Sequence, residues 1–236
     1  MPRGRPPSIT MIFSFLRTLV LAALLLLGTT EYFVTGPQAE ELPRGRVVYC
    51  YDGDTLKLAD GRKVRLAGID TPEVAHKGEP AQLYAQEAAD LLRRLTQGKD
   101  VRLRAATTEG SRDHYSRVLA DVQLEDGSSV NLQMVRAGAA FVYAHKDNDP
   151  AYMRQLFAAQ AEAMRDGRGM WGQLKETPVW TARYVGNKNS RRFFPADCAA
   201  VQDINPRNRV PLPSLEKAFA EGFAPARICP FWPGRR

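Results

Sequence analysis

Cysteine and histidine are scarce in this chain of 236 residues, with three of each. Cys50, Cys198 and Cys229 cannot by themselves fill a tetrahedral structural zinc site, which needs four ligands. His76, His114 and His145 lack any regular metal-ligand spacing and read as surface or site-rim residues. His114 is the one positioned to meet a substrate. There are no internal repeats and no low-complexity tracts, which removes repeat arrays and biased linkers from consideration. The large middle of the chain also lacks an excess of positive charge. The formal net charge is +7, yet residues 31–177 hold 20 basic and 22 acidic side chains. The excess sits at the ends, +3 over residues 1–30 and +6 over residues 178–236. Any affinity of the middle for a polyanion therefore comes from local arrangement or from a bound cation, not from bulk charge.

What remains is ordinary for a globular protein, with 44% hydrophobic and 25% charged residues. The length allows one good core plus a small appendage. The N-terminus is different. MPRGRPPSIT is basic, and MIFSFLRTLVLAALLLLG is an apolar run interrupted only by Arg17. A charged leader before a leucine-rich stretch fits a signal peptide over residues 1–39. The run nearly reaches spanning length, so an uncleaved membrane anchor fits as well. Either way the chain is expected to be exported: periplasmic, secreted, or tethered to a membrane and facing outward. In that setting a Cys198–Cys229 disulfide is permitted. Cys50 lies in a predicted strand and reads as a small buried apolar residue.

Residues 46–69 read as two strands joined at Asp60-Gly61, a two-residue hairpin signal. PAQLYAQEAADLLRRLTQG is an amphipathic helix with Leu83, Tyr84, Ala88, Leu91, Leu92 and Leu95 on one stripe, stopped by Gly98. VRLRA alternates as a strand, and SRVLADVQLEDGSSV is a strand with a turn at Asp126-Gly127. VNLQMVRAG is a short helix ended by Gly138, and AAFVYA is another strand. Asp149 and Pro150 cap and open a further helix carrying Met153, Leu156, Phe157, Ala161 and Met164. A small meander with interleaved helices predicts an α+β fold, a five-stranded barrel of the OB type with three helices. A boundary falls around residues 172–178. Residues 40–177 then form the barrel domain, and residues 178–236 a small basic C-terminal segment.

The hairpin gathers acids at its open end. With Asp60-Gly61 as a two-residue turn, Leu56 pairs with Arg65, Asp54 with Ala67 and Asp52 with Ile69. Asp54 and Arg65 then share a face as diagonal neighbours. Pro72 ends the second strand, and the loop it forces turns Asp70 and Glu73 back toward Asp54. Clustered carboxylates repel one another unless a cation sits among them. A hard dication with oxygen ligands resolves this, and Ca2+ is the flexible choice. The dication would attract a phosphate, whose oxygens Arg65 would grip in a forked contact. Read one at a time, these residues are turn-formers and a solvated strand arginine.

Together, DGDT at 52–55, VRLAGIDTPE at 64–73 and DHYSR at 113–117 resemble the staphylococcal nuclease (thermonuclease) family, in its order and spacing. The similarity covers roughly residues 47–171. It implies an OB-fold barrel with three helices and Ca2+-dependent hydrolysis of DNA and RNA phosphodiesters to 3′-phosphate products. It implies that Asp54 and Asp70 are Ca2+ ligands, with Thr71 adding its backbone carbonyl and Asp52 standing behind them. Glu73 matches the residue that orients or deprotonates the attacking water. Arg65 and Arg117 match two phosphate-binding arginines. Tyr115, and by a looser alignment Tyr143, match tyrosines lining the nucleotide pocket. The resemblance also implies a monomer. Two positions depart from the family. Ser116 stands where glycine is usual, which strains the backbone if positive φ is needed there. Ala85 stands where glycine is common, which a helix tolerates.

The C-terminal segment resembles a small module found behind some nuclease-like domains. That module often carries a histidine four residues before its first cysteine and a closing Pro-Cys-x-x-Cys. Phe194 and Ala226 occupy two of those ligand positions, so a zinc site is not expected. Cys198 and Cys229 are read as a disulfide stapling a segment too small to hold itself together. Its positive charge either tracks a nucleic-acid backbone or is a solvated tail. Two other functions compete with the exported nuclease. One is a nucleic-acid-binding module that kept the barrel and lost catalysis; the other is a membrane-tethered scaffold.

Overall fold

The computed structural model describes residues 43–76, 78–107, 112–229 and 231–234; the export or anchor segment assigned to residues 1–39 lies outside them. In chain order the first strands are β1 (Arg44–Cys50), β2 (Thr55–Leu58), β3 (Lys63–Leu66), β4 (Ile69–Asp70), β5 (Asp100–Arg104), β6 (Val118–Gln123) and β7 (Phe141–Val142). Five of them close a barrel in the order β1-β2-β3-β6-β5, while β4 pairs with β7 beside it. Only the β3–β6 contact within the barrel is parallel. The barrel is filled by inward residues such as Leu56, Leu58, Val64, Leu66, Val101 and Val122, each nearly or fully buried. This is the expected OB-type barrel in an α+β chain.

Three helices cover it, as expected: α1 (Ala85–Thr96), α2 (Val130–Arg136) and α3 (Pro150–Arg165). A short α4 (Met170–Lys175) follows. Two of these starts have a capping side chain. Ser129 accepts a hydrogen bond from the Leu132 N–H and opens α2, and Asp149 accepts from the Tyr152 N–H and opens α3 with Pro150 behind it. The first helix begins later than its apolar stripe predicts. Tyr84 has φ 72°, a left-handed conformation that a helix cannot enter. Leu83 therefore leaves the helical stripe and packs on the second core described below.

The hairpin register is shifted by one residue from the expected pairing. Thr55 faces Arg65, Leu56 faces Val64 and Lys57 faces Lys63. The turn holds three residues, not two. Leu58 N–H donates to the Arg62 carbonyl at 2.9 Å, and Gly61 sits between them at φ 90°. A left-handed glycine ending a three-residue loop is a common hairpin solution. Asp60 reinforces it by accepting from the Arg62 backbone N–H at 3.0 Å and from Arg62 Nε at 2.7 Å.

Residues 178–236 build a second sheet from β8 (Tyr184–Asn187), β9 (Arg192–Pro195), β10 (Arg209–Leu212) and β11 (Ala224–Pro225), in the order β10-β8-β9-β11. Helix α5 (Leu215–Ala220) packs with it. The Cys198–Cys229 disulfide expected from the sequence is present. This module does not have a core to itself. Phe193, Phe219 and Phe223 bury against Phe141, Met164, Met170 and Trp171 from the barrel side. Trp171 and Phe219 meet at 4.9 Å between ring centroids. Gln160 spans the seam, accepting from the Val142 N–H at 2.7 Å and donating to the Phe219 carbonyl at 3.3 Å. Among the described residues no helix is long and apolar enough to cross a membrane.

Candidate active site

The site lies where β1, β2 and β4 end together. The loop between β1 and β2 is held by its own acids. Asp52 Oδ1 accepts from the Asp54 backbone N–H at 2.9 Å, and the Tyr51 N–H donates to the Thr55 carbonyl at 2.8 Å. Gly53 lets this loop lie against the next segment. A Cβ there would come within 2.9 Å of Thr71 and Ala88 side-chain atoms, closer than real contacts allow.

That packing brings Asp54 to Thr71. Asp54 Oδ2 accepts from Thr71 N at 3.1 Å and from Thr71 Oγ1 at 3.2 Å. Its Oδ1 accepts from Thr55 Oγ1 at 2.9 Å. Arg65, directly across the hairpin from Thr55, then ties the two acidic segments together. Its Nη2 lies 3.1 Å from Asp54 Oδ2 and 2.5 Å from Asp70 Oδ1, while its Nη1 donates to the Leu66 and Ile69 carbonyls at 2.9 and 2.8 Å. One guanidinium nitrogen thus touches carboxylates from β4 and from the β1–β2 loop. All three side chains are buried. The expected convergence of Asp54, Arg65 and Asp70 is present, although the register that produces it differs by one.

Burial sets the electrostatics. It pushes both the Asp54 and the Asp70 carboxyls above the usual range, and the charge of Arg65 opposes that shift at each. Glu73 is more open, with 58% of its side chain exposed. Partial burial and then the charges of Asp70 and Asp54 also raise its pKa. Its loop is fixed through the backbone: the Glu73 N–H donates to Gln82 Oε1 at 2.8 Å, and the Gln82 N–H returns to the Glu73 carbonyl at 2.9 Å. Among the described residues no group of three or more His, Cys, Asp or Glu side chains is arranged to hold a metal ion. The donor set at hand is two buried carboxylates beside the Thr71 segment. Oxygen donors of this kind suit a hard cation that also takes backbone carbonyls and waters.

The second arginine reaches the same corner from a different loop. Arg117 Nη1 comes within 3.4 Å of Thr55 Oγ1, the hydroxyl that bonds Asp54. Its Nε donates to Asp113 Oδ2 at 2.7 Å, and Asp113 Oδ1 accepts from the backbone N–H groups of Tyr115 and Arg117. Burial would raise the Asp113 pKa, but these bonds and the Arg117 charge bring it below the usual value. Position 116 does take positive φ: Ser116 has φ 62°. The non-glycine residue is accommodated by Ser116 N–H donating to the Asp113 carbonyl at 2.9 Å and Arg112 Nη1 donating to the Ser116 carbonyl at 2.8 Å. Tyr115 is 66% exposed, with the Arg117 guanidinium 5.3 Å from its ring centroid and the His114 ring 3.8 Å away. Tyr143 follows β7 and carries the Arg192 guanidinium at 3.5 Å over its ring.

Sequence reasoning missed the residues that the C-terminal module brings here. Arg227 Nη2 donates to both Asp70 oxygens, at 3.2 and 3.1 Å, and lies 3.9 Å from Glu73 Oε1. Asp70 is the first cause of the large upward shift of the Arg227 pKa. The positive excess of residues 178–236 was the only sign in the sequence that a cation from this region mattered.

The model of the staphylococcal nuclease homologue family matches residues 63–173, a span that contains Arg65, Asp70, Glu73 and Arg117 and begins after Asp54. An uncharacterized endonuclease of Escherichia coli is 39% identical over 143 residues, covering 59% of this chain and 84% of that protein. An uncharacterized endonuclease of Haemophilus influenzae is 36% identical over 159 residues, covering 66% and 79%. Endonuclease YhcR of Bacillus subtilis is 30% identical over 219 residues, which is 82% of this chain and 18% of that much longer protein. The barrel, the acid and arginine positions on it, and these relatives lead to one assignment: the chain belongs to the staphylococcal nuclease homologue family.

Proposed function

We propose that this protein is a Ca2+-dependent nuclease that hydrolyses DNA and RNA phosphodiester bonds to 3′-phosphate products without sugar specificity. It acts as a monomer outside the cytoplasm, free or tethered to a membrane by its N-terminal segment. The observation that carries the reading is the meeting of Asp54 and Asp70 on one nitrogen of Arg65, with Glu73 on the adjoining loop. The endonuclease names of the relatives support it, and the Cys198–Cys229 disulfide supports an oxidising compartment.

In this reading Asp54, Asp70 and the Thr71 carbonyl hold the cation, and Asp52 fixes the Asp54 backbone. Bound Ca2+ supplies positive charge that offsets the charge building on the phosphoryl oxygens. Arg65 and Arg117 grip those oxygens from two sides, and their hydrogen bonds strengthen as charge develops. Glu73 takes the proton of the attacking water while the leaving oxygen departs in line. Tyr115 and Tyr143 offer ring faces that meet any base, which fits low sequence preference.

The test is cleavage of single-stranded and duplex DNA by the full chain, with Ca2+ and then with a chelator. Chelator-sensitive cutting is expected. Glu73→Gln and Arg117→Ala should each slow it by about 100-fold or more with an unchanged melting temperature. Salt-dependent retention without any cutting would instead select a binding module that has lost catalysis.

A further inference from the structure

A cleft of about 180 Å3 opens at the site, with Asp70 and Glu73 on one side and Arg227, Cys229 and Trp232 on the other. Its far wall comes from the last strand and tail of the chain, not from the barrel. Arg227 is fixed from both directions. Before it, the Ala226 N–H donates to the Phe193 carbonyl at 2.9 Å. After it, Cys229 is bonded to Cys198. Further on, Trp232 Nε1 donates to the Leu83 carbonyl at 3.0 Å and the Leu83 N–H to the Pro233 carbonyl at 2.7 Å. Leu83 adjoins Gln82, the residue that holds the Glu73 loop. The same tail therefore braces the loop of the proposed base and delivers a cation beside it.

Arg227 is only partly used by its partners. Its side chain is 60% exposed, and Nη2 makes the contacts to Asp70. Among the described residues its Nε and Nη1 form no hydrogen bond, and the side chain lines the cleft. The charges argue the same way. Asp52, Asp54, Asp70 and Glu73 are four carboxylates, and Arg117 is matched by Asp113. Arg65 and Arg227 are the cations in direct contact with Asp54, Asp70 and Glu73. Arg227 offsets part of this acidity where a phosphodiester, itself an anion, would approach.

We propose that Arg227 is a third phosphate-gripping guanidinium of this site, supplied by the disulfide-stapled C-terminal module, and that it holds a non-bridging oxygen of the phosphodiester strand across the cleft from Glu73. This rests on the nuclease reading for its ligand, and it assigns a residue and a module that the matched barrel span does not contain. Tyr143 carries Arg192 at 3.5 Å over its ring and Arg227 at 5.9 Å, so a second guanidinium of the module lies near the first.

The experiment places Arg227→Ala and Arg227→Lys in the full-length Glu73→Gln protein, which should hold a strand without cutting it. Binding of a fluorescent single-stranded 12-mer is followed by anisotropy in Ca2+, with melting temperatures as a control on folding. Loss of one charge-assisted contact should raise Kd about 10- to 100-fold for Arg227→Ala. Arg227→Lys should recover part of that, because it keeps the charge but loses the planar donor set. In the otherwise native protein Arg227→Ala should raise KM more than it lowers kcat. If Arg227 is only an internal counter-ion for Asp70, removing it leaves Kd unchanged or lowers it, and the proposal is wrong. Failure of the nuclease reading would look different. The parent protein would leave DNA intact, while the anisotropy difference between the Arg227 variants would still report the contact.

Discussion

The barrel end and the C-terminal module contribute to one cleft in opposite ways. On the barrel, Asp54, Arg65 and Asp70 are buried, and the hydrogen bonds among them leave little freedom. On the module, Arg227 is more than half exposed. The first arrangement costs desolvation and holds a fixed geometry. The second is cheaper to build and adapts to what enters. The difference teaches that a rigid floor can be made from a few local segments, while the opposing wall comes from a distant part of the chain and needs anchors. Those anchors are the shared aromatic core, the disulfide and the Trp232–Leu83 contact.

The largest expected effect would break the floor. Arg65→Ala leaves Asp54 and Asp70 buried without their shared cation. It should lower stability in chelator by about 3–5 kcal/mol, read from urea denaturation. Added Ca2+ should return part of that loss, since binding only to the folded form stabilises it. A loss under 1 kcal/mol would show that the floor is not a tightly coupled group.

A smaller effect would separate floor from wall. Cys198→Ser removes the staple and should cost about 2–4 kcal/mol. Because Phe141, Met164 and Trp171 pack in the same cluster as Phe193 and Phe219, one cooperative transition is expected. Two resolved transitions in calorimetry would mean that the module folds apart from the barrel, and the comparison would turn into one between two domains.

The smallest effect sharpens a third region, the 113–117 loop. Ser116→Gly relieves a positive φ and should raise stability by about 1 kcal/mol, seen as a higher melting temperature. Cleavage should change little if the Asp113 bonds already aim Arg117. A large gain in activity would show instead that the serine had displaced that guanidinium.

Much of the floor was legible because its information is local. Alternating apolar residues mark β2 and β3, and DGDT and GIDTPE each fit within a few residues of a strand end. The one-residue error in register came from Gly61. A two-residue and a three-residue turn around Asp-Gly share the same sequence sign, and the choice depends on the glycine's left-handed conformation. The pairing of Asp54 with Arg65 survived the shift because Asp54 lies in the loop before β2, outside the ladder, where its bonds to Thr71 and not the strand pleat set its direction. The start of α1 was missed because Tyr84 adopts a left-handed conformation that its residue type does not advertise.

The wall was hidden for a different reason. β8 to β11 are strands of four residues or fewer, and the β9–β11 pair is parallel across a long connection. Such pairing is set by the tertiary aromatic cluster and not by any period in the chain. Nothing near position 227 states that its partner is Asp70, 157 residues earlier.

The central claim is that Asp54 and Asp70 share one divalent cation. Calorimetric titration of Ca2+ into the chelator-treated full chain, beside the Asp54→Asn variant, tests it most directly. A single binding site in the parent that is lost or weakened at least about tenfold in Asp54→Asn is the predicted result. No calcium uptake by the parent, or equal uptake by both proteins, would contradict it.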